Sequence, residues 1–218
     1  MANQDYLLRM IEQFMIFISR VIFKRNAGLF EEAQAELDGI IKDLLDLDPD
    51  SVFAADRKRL HALLESEEDV DRLFILGRAL EEKARIGASL GRTGEATAVL
   101  REYGLLFLIK GDRAGREKGK RQKEIESIAL EMAENGNNEA VAAVIAYYED
   151  LGRFDKAEDW LYESLSGADG RAIALGRAFY ARLRDLDDEA LARGNLPRSE
   201  VEEGLEYVRE LERRAKGT

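Results

Sequence analysis

The chain has 218 residues, a formal net charge of −11, and 45% hydrophobic against 35% charged residues, a globular balance whose acidity opposes DNA binding by the protein as a whole. With no cysteine and one histidine, His61, it has no disulfides, thiolate nucleophiles or cysteine-ligated metals, and little histidine chemistry. Two prolines leave room for almost continuous helix.

Asp5 to about Lys24 reads as the first helix. From Tyr6 to Phe23, 13 of 18 residues are apolar, and Arg9, Glu12, Gln13, Arg20 and Lys24 form a narrow polar strip. Only seven residues separate Glu12 from Arg20, whereas a membrane span needs about 20 apolar residues. No small-residue cleavage site follows a short apolar core. The expectation is therefore a cytoplasmic protein with no transmembrane segment. The apolar surface of this helix, with Phe14, Phe17, Ile18 and Val21, is wider than one neighbour would cover. Three readings stay open for it: burial within the monomer, the seam of a homodimer, or contact with a membrane or another partner.

Gly28 breaks the first helix, and a second runs from about Phe30 to Leu45 through Ala33, Leu37, Ile40, Ile41 and Leu44. Asp48-Pro49-Asp50-Ser51 stops it and caps a third, to about Glu65. A fourth covers Glu68 to Leu90 and a fifth Gly94 to Ile109. Between Lys110 and Lys123 lie seven basic and two acidic residues, so this segment carries +5 and the remainder −16. Spaced by Gly111, Gly115 and Gly119, it reads as a linker over 110–121 between sub-halves 1–110 and 121–218 of one domain. Further helices are expected at Arg121–Glu134, Asn138–Leu151, Phe154–Ser166, Asp169–Leu183, Asp188–Arg193 and Arg198–Ala215. The pattern is all-α, about ten helices.

Three junctions repeat: Gly28-Leu29-Phe30-Glu31-Glu32-Ala33, Gly91-Arg92-Thr93-Gly94-Glu95-Ala96 and Gly152-Arg153-Phe154-Asp155-Lys156-Ala157. The glycine closes one helix in the left-handed conformation. The residue two on, aromatic in two of the three, sets the angle of the next helix, and the alanine lets two backbones approach. This resembles the turn inside a tetratricopeptide repeat, and Leu47-Asp48-Pro49 resembles that repeat's close. The resemblance implies antiparallel helix pairs in a right-handed array that binds peptides or helices on its inner face. The glycines are 63 and 61 residues apart, against a period of about 34 in tetratricopeptide proteins, so the array is irregular. Asp5-Tyr6-Leu7-Leu8-Arg9-Met10-Ile11-Glu12-Gln13 and Lys42-Asp43-Leu44-Leu45-Asp46-Leu47 resemble a family of small uncharacterised bacterial helical proteins, which implies the same fold and no known activity.

Motifs with chemistry fall short. Gly87-Ala88-Ser89-Leu90-Gly91 matches a nucleophile elbow, but helix-like sequence precedes it and no histidine follows. Gly115-Arg116-Glu117-Lys118-Gly119-Lys120-Arg121 has three residues between its glycines where a phosphate loop has four, and Arg121 where Ser or Thr holds magnesium. Arg116, Lys118, Lys120 and Arg121 remain a candidate anion-binding loop for RNA, nucleotide, phosphopeptide or acidic protein, against the plainer reading of a solvated linker. Asp46, Asp48 and Asp50 alternate as in a calcium loop, but positions six and twelve are Ser51 and Arg57. His61 has no partner at metal spacing, Trp160, Tyr147, Tyr148, Phe179 and Tyr180 read as core, and no carboxylate pair stands out for acid–base work. The expectation is a non-catalytic scaffold or adaptor for a protein or peptide, without cofactor or metal. The alternative is an RNA-, anion- or nucleotide-interacting regulator acting through 110–123.

Overall fold

The computed structural model describes residues 2–115, 118–134, 138–165 and 170–216, apart from the side chains of 2–9, 138 and 216. Among these residues there are twelve α-helices and no strand. They are α1 (Ala2–Asn26), α2 (Phe30–Gly39, continued by a π-helical turn over Ile40–Leu44), α3 (Pro49–Val52), α4 (Arg57–Ser66), α5 (Val70–Ser89) and α6 (Glu95–Ala114). Then come α7 (Gln122–Ala133), α8 (Asn138–Asp150), α9 (Phe154–Leu165), α10 (Gly170–Arg184), α11 (Asp188–Arg193) and α12 (Arg198–Lys216). The chain divides into two compact units, Met1–Ile125 and Glu126–Thr218, so the basic segment expected to link two halves belongs to the first unit.

The three repeated junctions share one hydrogen-bond pattern. Gly28, Gly91 and Gly152 have φ of 77°, 73° and 65°. At each, the glycine N–H donates to the carbonyl three residues back and the next N–H to the carbonyl five back: Leu29 to Lys24, Arg92 to Gly87 and Arg153 to Tyr148, all at 2.9 Å. A Cβ on any of the three glycines would meet nothing within 4 Å. Backbone conformation, and not space, holds glycine there. The alanine five residues on is fully buried at Ala33 and Ala157, whereas Ala96 is exposed.

At the middle junction the close approach is made elsewhere. A Cβ on Gly77 of α5 would lie 2.9 Å from the carbonyl oxygen of Gly104, and one on Gly104 of α6 would lie 3.1 Å from that of Gly77. A Cβ on Gly111 would lie 3.3 Å from Leu73 Cβ. This stripe sets α5 and α6 antiparallel in near-backbone contact. It also explains why α6 runs through Gly111 to Ala114, beyond the end expected at Ile109. The third expected helix is instead two, because Ala55 takes a left-handed φ of 55° and Asp56 starts α4 by accepting from the N–H groups of Lys58 and Arg59.

Within the first unit α1 and α5 run in the same direction, with Phe14 edge-on to Phe74 at 5.5 Å and Arg25 paired to Glu82 further along both. The α2 helix lies antiparallel to both, tied by Lys24–Glu36 to α1 and by Lys83–Asp38 to α5. In the second unit α8 pairs with α9, and α10 with α12, where the Tyr180 ring packs directly on Gly204. Phe154, the aromatic of the third junction, sits against Gly194.

Candidate functional site

About 100° per residue separates side chains around an α-helix, and α1 sorts them into two opposed faces. Phe14, Ile18 and Val21, for which burial and an assembly surface were both open, are 0%, 3% and 0% exposed. They fill the interior of the first unit because α2 and α5 both pack on that side, and Phe17 is half-buried. Among the described residues of α1, the large apolar side chains left in solvent are Met15, Ile16 and Phe23, at 49%, 55% and 71%. Ser19 lies among them, its hydroxyl donating to the Met15 carbonyl at 2.7 Å. Periodicity revealed that the apolar surface was too wide. It could not say which stripe the neighbours would take.

The cations beside this strip, Arg20, Lys24 and Arg25, are engaged. Lys24 Nζ is 2.6 Å and Arg20 3.2 Å from the Glu36 carboxylate. The hydrogen bond from Lys24, with help from Arg20, holds the Glu36 carboxyl below its usual range despite some burial. Arg25 reaches Glu82 at 3.1 Å, and its other nitrogen donates to Asn26 Oδ1 at 3.4 Å. The outer face of α1 from Met15 to Phe23 is therefore an apolar strip flanked by internally compensated ions.

The basic segment folds back on the first unit. Lys110 Nζ donates to the Leu64 and Glu65 carbonyls at the end of α4. Asp112, 4% exposed, accepts from the N–H groups of Gly119 and Arg121 at 2.6 and 2.9 Å. The Arg121 guanidinium lies 3.4 Å from the centre of the Phe74 ring and 3.8 Å from Glu124. Lys118 and Lys120 are exposed, while Arg116 lies outside the described residues. Of the four candidate anion-binding side chains, two are exposed and one lies against an aromatic ring.

Two buried acids gave no signal in the sequence. Glu81 and Glu82 on α5 are 0% and 2% exposed. Glu81 accepts from Arg85 at 2.8 Å and from Arg101 of α6 at 3.3 Å. Glu82 meets Arg25 of α1 and, at 3.9 Å, Arg78, which also reaches Glu124 at 3.1 Å. Burial raises the Glu82 carboxyl above its ordinary value, against the pull of Arg25, Arg78 and Arg85. The cluster joins α1, α5 and α6 by charge inside the core. Breaking one partner of such a network leaves a buried charge uncompensated.

The other sequence candidates have structural roles. Ser89 donates to its own helix at the Arg85 carbonyl, in the last turn of α5. Asp48 caps α3 by accepting from the Ser51 N–H. His61 is exposed on α4, and Tyr147, Tyr148, Trp160, Phe179 and Tyr180 are core. Among the described residues no group of three or more histidine or acidic side chains is placed to hold a metal ion, and no helix is long and apolar enough to cross a membrane. In the second unit a groove of about 170 Å³ between α8, α9 and α10 is lined by Val141, Ser164 and Leu175 and flanked by Glu139 and Arg171, 3.6 Å apart.

No curated protein and no solved structure matches the chain. A family model matches over residues 1–213, and the chain belongs to that family of unknown function, DUF6483.

Proposed function

We propose that the protein is a non-catalytic scaffold of the cytoplasm, built from divergent tetratricopeptide-like helix pairs, that docks other protein surfaces. The observation that carries this reading is the exposed Met15–Ile16–Phe23 strip, kept apolar while the ions beside it are paired internally. The three matching helix-closing turns support the repeat character. So does the way α2 and α5 pack antiparallel while α1 and α5 run alike, as successive helix pairs do when stacked. The test compares proteins captured by the wild-type chain and by a Met15→Glu, Phe23→Glu variant of unchanged circular dichroism. Partners retained by the first and lost by the second support docking through this face. An identical set on both would sink it.

A second reading is favoured by the loop that Asp112 holds, on which Lys118 and Lys120 are exposed. An anion site there predicts binding of short RNA that weakens steeply with salt and is lost in Lys118→Ala, Lys120→Ala. Salt-independent or absent binding removes it.

A further inference from the structure

We infer that the outer face of α1 is the seam of a homodimer in which two copies of α1 cross antiparallel about a two-fold axis at Ser19. This rests on the docking reading above and names the occupant of that face. At about 100° per residue, Met15, Ile16, Ser19, Ile22 and Phe23 span roughly 120° of the helix surface, centred on Ser19. Met15 and Ile16 lie four and three residues before Ser19, and Ile22 and Phe23 three and four after it. A two-fold axis at Ser19 sets Met15 opposite Phe23 and Ile16 opposite Ile22, twice, as an isologous contact requires.

The centre and rim of the strip suit that pairing. Ser19 is small, and its hydroxyl is already bonded to the Met15 carbonyl. It can be covered without leaving a polar group unsatisfied. Glu12 and Asn26, both exposed, lie seven residues to either side on the same line of the helix. The Asn26 amide oxygen accepts from Arg25, which leaves its NH₂ to donate to the Glu12 carboxylate of the second copy. Two such bonds close an apolar centre with a polar rim.

Other occupants fit less well. A membrane surface calls for surplus cations beside the apolar strip, but Arg20, Lys24 and Arg25 are paired with Glu36 and Glu82. Nucleic acid would meet no basic side chain within the strip itself. Taking about 200 Å² for a whole large side chain, Met15, Ile16 and Phe23 offer roughly 350 Å² per copy, and half-buried Ile22 adds to it. Two copies together bring about 700 Å² of apolar surface, short of the roughly 1,000 Å² that a stable interface clears, so the seam is that of a weak, reversible dimer.

The absence of cysteine makes the test direct. Single cysteines are placed at the exposed Ser19, Met15 and Phe23, and disulfide formation is followed under mild oxidation, with light scattering on the unmodified chain. A seam at Ser19 predicts a mass rising with concentration towards twice 24.6 kDa. Ser19→Cys should cross-link to itself. Met15→Cys should cross-link to Phe23→Cys in a mixture but not to itself, because equivalent positions four residues from the axis lie about 12 Å apart along the helices. Phe23→Glu, present twice in the seam, should weaken dimerisation by about 100-fold. A monomer at every concentration overturns the inference, as does self-cross-linking of Met15→Cys and Phe23→Cys, which would mean a parallel seam. Loss of captured partners in the Met15→Glu, Phe23→Glu variant of a strictly monomeric chain would retain the docking reading and discard the dimer. An unchanged capture set together with a concentration-independent monomer would remove both.

Discussion

Gly77→Ala should destabilise the first unit, although the same change in an unencumbered helix is stabilising. In a helix interior alanine gains about 1 kcal/mol over glycine. At Gly77 the new methyl would lie 2.7 Å from Leu108 Cγ and 2.9 Å from the Gly104 carbonyl oxygen. The second contact is backbone and cannot rotate away, so α5 and α6 must separate. Overpacking of this kind costs about 1–3 kcal/mol. Here it is compounded by partial loss of the contact along two helices of 20 residues each. The net expectation is a loss of about 1–2 kcal/mol. Gly39→Ala in α2 supplies the control, because the only atom within 4 Å of its added methyl is an Asp43 carboxylate oxygen at 3.9 Å. That variant should gain up to about 1 kcal/mol. Hydrogen exchange of α5 and α6 amides reads the first unit by itself, and calorimetry should show opposite shifts in Tm, about 4 °C per kcal/mol. If Gly77→Ala stabilises as Gly39→Ala does, the close crossing of α5 and α6 is wrong.

The raised carboxyl of Glu82 makes a prediction about pH. A group whose folded pKa exceeds its unfolded one stabilises the fold at pH values below both, and that contribution is lost as pH rises through the folded value. Wild type should therefore gain stability relative to Glu82→Gln as pH falls from 7 towards 4.5, read as the difference in urea midpoints; a pH-independent difference refutes it. Tyr180 donates to Glu158 at 2.6 Å, and burial holds both groups above their usual pKa. Tyr180→Phe should cost about 1–2 kcal/mol by denaturation, and a neutral result would mean that this hydrogen bond is not formed. Asp112→Ala removes the acceptor for two backbone donors. Trypsin cleavage after Lys118 and Lys120 should then quicken by about tenfold or more, and an unchanged rate would count against a loop held by Asp112.

Helix class, and most helix positions, were legible because periodicity and capping act locally. The three turn glycines were read correctly for the same reason, since a left-handed closing residue is a demand made by its own helix. Gly111 was not. As a sequence it looks like a breaker in a basic linker, yet α6 runs through it because a neighbour 38 positions earlier, Leu73, occupies the space a side chain would need. Glu81 and Glu82 were illegible for a related reason. Acids in so charged a chain look solvated until arginines from α1 and α6 are brought beside them. On α1 periodicity shows an excess of apolar surface but not its apportionment, which is fixed by where α2 and α5 lie.

The order of helix pairing has a consequence for how the chain acquires its structure. The α1–α2, α5–α6 and α8–α9 partners are consecutive elements joined by short turns, so each pair forms after closing only a small loop. The α10–α12 contact is different, because α11 and its flanking turns must be spanned before Tyr180 can seat on Gly204. Loop closure grows costlier with length, and local contacts form first. In pulse-labelled refolding, amides of α8 and α9 should gain protection ahead of those of α12. The last helix is then the step that finishes the second unit, and the stretch through which translation-coupled folding would leave it open longest.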